Sequence, residues 1–171
     1  SADEEEEQVA EDEGEPSSGQ LREELRESLA LETGTAGGLS QKVEALEDDR
    51  GLIVRFSAMD FFDDGAAEVH PHLRPLLDRI AKVLATSSSP IRIEAYTDVM
   101  EEGVSKAYPT GWELSSARAA WVVRYWQDRG LIEPERLSAV GNSHFRPLVE
   151  KQDEFSRGKN RRIEIVLVKT K

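Results

Sequence analysis

The apolar residues of this chain repeat with two different periods, and the order in which those periods follow one another leaves few folds open. After the turn signal Asp48-Asp49-Arg50-Gly51, Leu52, Val54 and Phe56 alternate with Ile53 and Arg55, which reads as a strand. Leu73, Leu76, Leu77, Ile80 and Leu84 then recur at the spacing of one helix face, opened by His70-Pro71, and Pro75 is tolerable there if it falls in the first turn. Ile91 to Tyr96 is a second strand, with Ile91, Ile93, Ala95 and Thr97 on one face. A second helix follows, with Leu114, Ala117, Arg118, Trp121, Val122 and Tyr125 on its buried stripe, Thr110-Gly111-Trp112-Glu113 as a capping box and Gly130 as a stop. Leu137 to Val140 and Ile163 to Lys169 read as two further strands, separated by an irregular stretch from Gly141 to Lys159. The order β, α, β, α, β, β with two long crossovers predicts an α+β domain, a mixed sheet of about four strands with helices packed on one face.

Arg118 lies on the inward stripe of the second helix. A guanidinium stays protonated at any working pH, so at a covered position it needs a fixed carboxylate or an anionic ligand. Parity along the last strand puts Arg161 on the same inner face, and Asp98 stands just past the end of the second strand. Two cations and one anion are therefore expected to converge. By spacing alone, the plain reading is a structural ion pair between Asp98 and Arg118. Arg162 and Glu164 alternate onto the other face and read as a surface pair.

Charge divides the chain. Seventeen of its thirty-four acidic residues, but only four of its twenty-two bases, fall within residues 1–50. Residues 1–20 are Glu, Asp, Ser, Gly and Pro with almost nothing apolar, and read as a disordered acidic leader. Residues 21–40 read as a linker with a short helix, its Leu21, Leu25 and Leu29 stripe too marginal to stand alone and broken by Gly34-Thr35-Ala36-Gly37-Gly38. Residues 41–171 form the domain. It is nearly neutral and has no concentrated basic face, so nucleic acid is not an expected partner. No run reaches the roughly eighteen apolar residues that span a bilayer, and the first residue is Ser rather than Met, as in a processed or cut chain.

No metal, cofactor or catalytic residue is expected. Cysteine is absent, His70, His72 and His144 form no convincing ligand set, and Asp60 to Gly65 departs from a calcium loop at Phe62 and Pro71. Ser115 and Ser116 have no base at a motif spacing, so a hydrolase, the reading of a different class, has no catalytic group to expect. Trp121 reads as core, and only Trp112, at the helix start, is placed to border a ligand groove.

Phe62-Asp63-Asp64-Gly65-Ala66-Ala67-Glu68, Thr97-Asp98, Leu114-Ser115-x-x-Arg118-Ala119, Arg136-Leu137-x-x-x-Gly141, Pro147 and Asn160-Arg161-Arg162-x-Glu164 together resemble the OmpA-like peptidoglycan-binding family, from about Gly51 to Val168. Within it, Gly51 to Phe56, the long loop after Asp98, and Tyr108-Pro109-x-x-Trp112-Glu113-Leu114-Ser115 are similar to the periplasmic part of MotB-type flagellar stator proteins. Ala95-Tyr96 stands where the family often has Gly-His, and Gly111 where an Asn often precedes the Trp. The resemblance implies a non-catalytic periplasmic anchor in which Asp98 and Arg118 grip the free end of the diaminopimelate residue of a peptidoglycan stem peptide. Arg161 would add a second donor, and Thr97 and Asn160 secondary polar contacts. It further implies a homodimer, a channel-forming stator partner, a single inner-membrane helix preceding this chain, and a leader that serves as linker and channel plug. A general envelope anchor, in a lipoprotein or outer-membrane protein with no motor role, is the alternative.

Overall fold

The computed structural model describes residues 14–30, 42–151 and 153–170. Most of the expected leader, residues 1–13, and the expected glycine break lie outside the described residues. In chain order the elements are α1 (Ser18–Ala30), β1 (Glu44–Asp48), β2 (Gly51–Ser57), the short α2 (Ala58–Phe61), α3 (Arg74–Leu84), β3 (Ile91–Tyr96), α4 (Gly111–Asp128), β4 (Leu137–Gly141), α5 (Glu154–Asn160) and β5 (Arg162–Val168). Single 3-10 turns lie at Pro71–Leu73, Val99–Glu101 and Pro134–Arg136.

The described strands form one five-stranded mixed sheet in the order β1-β2-β5-β3-β4. Only β3 and β4 run parallel, joined through α4, and the other neighbours are antiparallel. The strand beyond the expected four is β1, whose Glu-Ala-Leu-Glu-Asp carries too little apolar character to announce itself. It exists because the Asp48 to Gly51 turn folds it back onto β2, with Asp48 opposite Gly51.

Leu52, Val54 and Phe56 of β2, Ile91, Ile93 and Ala95 of β3, and Ile163, Ile165 and Leu167 of β5 form one face of the core. Helices α1, α3 and α4 contribute to the same cluster, so the helices share a face, as the crossovers require. Ser17 and Gln20 cap α1 reciprocally, at 2.8 and 3.1 Å, and its Leu21, Leu25 and Leu29 are all buried. The stripe that is marginal alone is stable because it docks against α3 and β1. Pro75 falls in the first turn of α3, where its missing N–H costs nothing. In α4 the buried side chains are Leu114, Ser115, Arg118, Ala119, Val122 and Trp126. The inward face is thus rotated from the expected one: Trp126 is the buried tryptophan, donating to the Leu77 carbonyl at 3.1 Å, while Trp121 is half-buried and stacks on Tyr125.

The opposite sheet face corrects one expectation. Arg162 and Glu164 are not a surface pair: they are 6 % and 1 % exposed. Glu94 and Glu164 face each other directly across β3 and β5, an arrangement of like charges that is unfavourable by itself. Arg50 reaches back from the β1–β2 turn to bond both, Arg55 Nε meets Glu164 at 2.7 Å, and Arg92 Nε meets Glu94 at 3.0 Å. Arg162 lies 3.7 Å over the Tyr96 ring, whose hydroxyl donates to Glu94 at 3.2 Å. Burial pushes the Glu164 carboxyl up, but Arg162, Arg50 and Arg55 outweigh it and hold it below the usual carboxylate range. Burial, reinforced by the charges of Glu94 and Glu164, pushes the Tyr96 phenol up to about 12.

Candidate functional site

The parallel strands β3 and β4 end side by side, and the residues that leave them build the site. Asn142 N–H donates to the Ala95 carbonyl and Thr97 N–H to the Ser143 carbonyl, each at 3.0 Å. Ser143 adopts a left-handed backbone, φ 53°, held there by the Ser115 hydroxyl, which accepts its N–H at 3.0 Å. Ser115 is therefore a structural tie between α4 and the loop after β4. Two glycines permit this close approach. A Cβ on Gly141 would sit 2.4 Å from the Ser116 backbone nitrogen, and one on Gly111 would sit 2.3 Å from Ser143 Oγ and 2.6 Å from Thr97 Oγ1.

Asp98 is 3 % exposed and caps the 3-10 turn that follows it, accepting the Met100 N–H at 2.8 Å. Glu101 completes the capping box by accepting the Asp98 N–H at 3.3 Å, and it is itself 2 % exposed. Its carboxylate meets both arginines: Oε2 lies 2.7 Å from Arg118 Nη2, and Oε1 lies 3.6 Å from Arg161 Nε. The structural ion pair expected between Arg118 and Asp98 is thus formed with Glu101 instead. Spacing could not distinguish the two acids, since both belong to the turn that closes over the helix.

The loop from Phe62 to Ala66 wraps the same arginines. Arg118 donates from Nε to the Ala66 carbonyl at 2.9 Å and from Nη2 to the Asp63 carbonyl at 3.3 Å, with its guanidinium 5.0 Å over the Phe62 ring. Arg161 Nη1 reaches Asp64 at 3.0 Å. The stretch rejected as a calcium loop is a cradle for guanidinium groups. In sequence, Glu101 was detectable only as the far end of a capping box, Asp98-x-x-Glu101, and the cradle had no periodic signal at all.

Thr97, Asp98, Val99, His144, Pro147 and Asn160 line a cavity of about 50 Å³, large enough for a small terminal group and too small for a sugar ring. Asn160 lines it with an amide committed at both ends to the Val149 backbone, at 2.7 and 2.8 Å, so it braces the wall. Arg118 Nη1, Arg161 Nε, Thr97 Oγ1, Ser143 Oγ and Asn142 Nδ2 are buried with no hydrogen-bond partner. Such a concentration of unmet polar groups at one strand end is what a ligand site looks like when empty. Around it, Trp112 and Phe145 stack at 5.5 Å and are 52 % and 62 % exposed, and His144 packs on Phe145. Three wider clefts lie beside α1 and along β1 and α5 without Asp98, and neither they nor the small cavity is lined by Arg118 or Arg161, which sit behind it against Glu101. His70 and His72 stack at 5.6 Å with His70 beside Asp63, and His144 lies apart from them beside Glu102, the two carboxylate contacts each at 3.3 Å.

Residues 61–161 match the family model described as the OmpA family. The uncharacterized protein YtxE of Bacillus subtilis is 31% identical over 159 residues, 91% of this chain and 65% of that protein. Outer membrane protein A of Bordetella avium is 30% identical over 115 residues, 67% of this chain and 57% of that protein. The chain spans less than two thirds of the length of either relative. Among solved structures, a MotB-like protein from Desulfovibrio vulgaris superposes at a TM-score of 0.76 with 27% identity, over 90% of this chain and 94% of that one. The cell wall anchor of the T6SS from Pseudomonas aeruginosa superposes at 0.72 with 27% identity, over 86% of this chain and 99% of that one. The periplasmic domain of Helicobacter pylori MotB, at 0.69 and 21% identity over 80% of this chain and 84% of that one, shares the fold.

Proposed function

Because the chain belongs to the OmpA family over a region that contains every residue of the site, we propose that it is a non-catalytic, periplasmic peptidoglycan anchor. The ligand group is the free end of a stem-peptide diaminopimelate. The observation that carries the reading is Glu101, which accepts the Asp98 N–H and lies against both Arg118 and Arg161, with Arg118 Nη1, Arg161 Nε and Thr97 Oγ1 left unmet beside it. A free diamino-acid terminus is zwitterionic. Its ammonium matches Asp98, and its carboxylate matches the Arg118 fork with Arg161 beside it. Thr97 offers an unmet hydroxyl at the cavity wall, and Asn160 holds that wall in place. The two positively charged groups favour an anion, and Asp98 sets the orientation, so a plain carboxylate binds less well than a zwitterion.

We further propose that the domain anchors a flagellar stator complex as a homodimer, carried by a membrane helix in a longer protein. Its support is the likeness to the MotB-like structure over nearly the full chain. No helix among the described residues is long and apolar enough to cross a membrane. The likeness to a T6SS cell wall anchor favours a second reading, an envelope anchor with no motor role. Fusion of this domain to a stator membrane helix, scored by restored swimming, separates the two.

The binding test is calorimetry of a diaminopimelate-containing stem peptide with the chain, Asp98→Asn and Arg118→Ala. Each variant is expected to lose roughly 2 kcal/mol or more while staying folded, as for truncating one partner of a desolvated charge contact. Equal binding by all three places the ligand elsewhere.

A further inference from the structure

Resting on that reading of the site, we infer that Glu101 is a resident carboxylate, seated on the arginine pair in the empty protein and exchanged for the carboxylate of the incoming ligand. Arg118 is 2 % exposed and cannot shed its charge, so some anion must sit against it at all times. Glu101 supplies that anion from 2.7 Å, while Asp98 is turned into the cap of the neighbouring turn.

Glu101 fits the seat imperfectly. Its Oε2 approaches Arg118 closely but off the line of any N–H bond, so it forms no hydrogen bond there, and Arg118 Nη1 and Arg161 Nε are left without acceptors. The one carboxylate is divided between two guanidinium groups and the Asp98 N–H, which leaves part of each arginine unmet. A carboxylate arriving on a free ligand is not so divided and can align with the planar guanidinium.

The turn that carries Glu101 is built to yield. It is a single 3-10 turn, Val99–Glu101, and Val99, Met100 and Val104 are 46 %, 59 % and 52 % exposed, so few apolar contacts hold it. Beside its backbone bonds, Glu101 N–H to the Asp98 carbonyl at 2.9 Å and Glu102 N–H to the Val99 carbonyl at 3.3 Å, it is tied by the Asp98 carboxylate on Met100 N–H and by Glu101 on Asp98 N–H. A ligand ammonium competes for that same Asp98 carboxylate. Drawing Asp98 away from Met100 loosens the turn and frees Glu101, which lets the ligand carboxylate in. The two halves of the ligand therefore help one another, and a molecule carrying both charges is selected over one carrying either.

Three measurements on the full chain test this. Glu101→Gln keeps an oxygen for the Asp98 cap and removes the charge; it is expected to bind the stem peptide at least tenfold more tightly than the unaltered chain. Glu101→Ala vacates the seat, and acetate is expected to raise its Tm saturably while leaving the Tm of the unaltered chain unmoved. In the unaltered chain, saturating peptide is expected to speed hydrogen exchange at the Met100 amide, a readout that needs no variant to fold. Equal or weaker binding by E101Q, no acetate effect on E101A, or slower Met100 exchange each overturns the exchange model and assigns Glu101 to holding Arg118 in place. Should acetate stabilise E101A while the peptide binds neither the unaltered chain nor E101Q, the carboxylate seat stands and the peptidoglycan reading falls.

Discussion

Arg50→Met tests whether the charged lattice on the outer sheet face holds the domain together. Arg50 bridges Glu94 and Glu164, two carboxylates placed opposite one another on β3 and β5. Removing one member of a buried ion pair costs roughly 3–5 kcal/mol. Two features reduce that here: the Arg50 side chain is 27% exposed, and each carboxylate keeps another cation, Arg55 at 2.7 Å for Glu164 and Arg92 at 3.0 Å for Glu94. The expected loss at pH 7 is therefore about 2 kcal/mol, or roughly 4–8 °C in Tm for a chain of this size. The pH dependence is more discriminating. Glu164 titrates below the ordinary carboxylate value in the folded state, so its stabilising contribution is complete above that ordinary value and is lost as pH falls through the folded one. In the variant Glu164 has lost a cation and takes up its proton sooner, and once protonated it no longer repels Glu94. The gap between the two proteins should narrow steadily as pH drops below about 4. Urea unfolding at several pH values measures it; a gap under about 0.5 kcal/mol at pH 7, or one independent of pH, refutes the account.

Leu25→Ala, at a fully buried position of the single stripe by which α1 docks, is expected to cost about 2–3 kcal/mol. The loss should appear first as faster hydrogen exchange within residues 18–30, with the sheet amides unchanged. Gly141→Ala forces a Cβ to within 2.4 Å of the Ser116 backbone nitrogen, where no flexible side-chain tip can give way. A destabilisation of roughly 1–3 kcal/mol in urea unfolding is expected, and stability unchanged within experimental error would mean that α4 and β4 separate freely.

The elements themselves were legible in the sequence because each is governed by near neighbours. The capping box at Thr110 and Glu113 forms as the residues imply, with Thr110 N–H on Glu113 at 2.9 Å, and β3 runs over Ile91–Tyr96 as its alternation indicates. The inward position of Arg118 followed from helical spacing alone. The rotation of α4 that buries Trp126 rather than Trp121 did not, because both tryptophans border the stripe and only the packing of α3 selects between them.

Periodicity assigns a residue to a face of its own element; it carries no information on which residue of another element meets it there. That is why the sequence sufficed to place Asp98, Arg118 and Arg161 at one end of a mixed sheet, and why it paired the wrong acid with Arg118. The choice of Glu101 depends on a turn closing over a helix, and the cradle of Phe62 to Ala66 depends on backbone carbonyls that no side-chain pattern encodes. The burial of Glu164 likewise needed Arg50, 114 residues away in the chain, to fold back across the sheet. Local spacing determined the elements and the inward charges. Only the tertiary structure decided which opposite charge each would find, since ion pairs form by distance in space, whatever the separation along the chain.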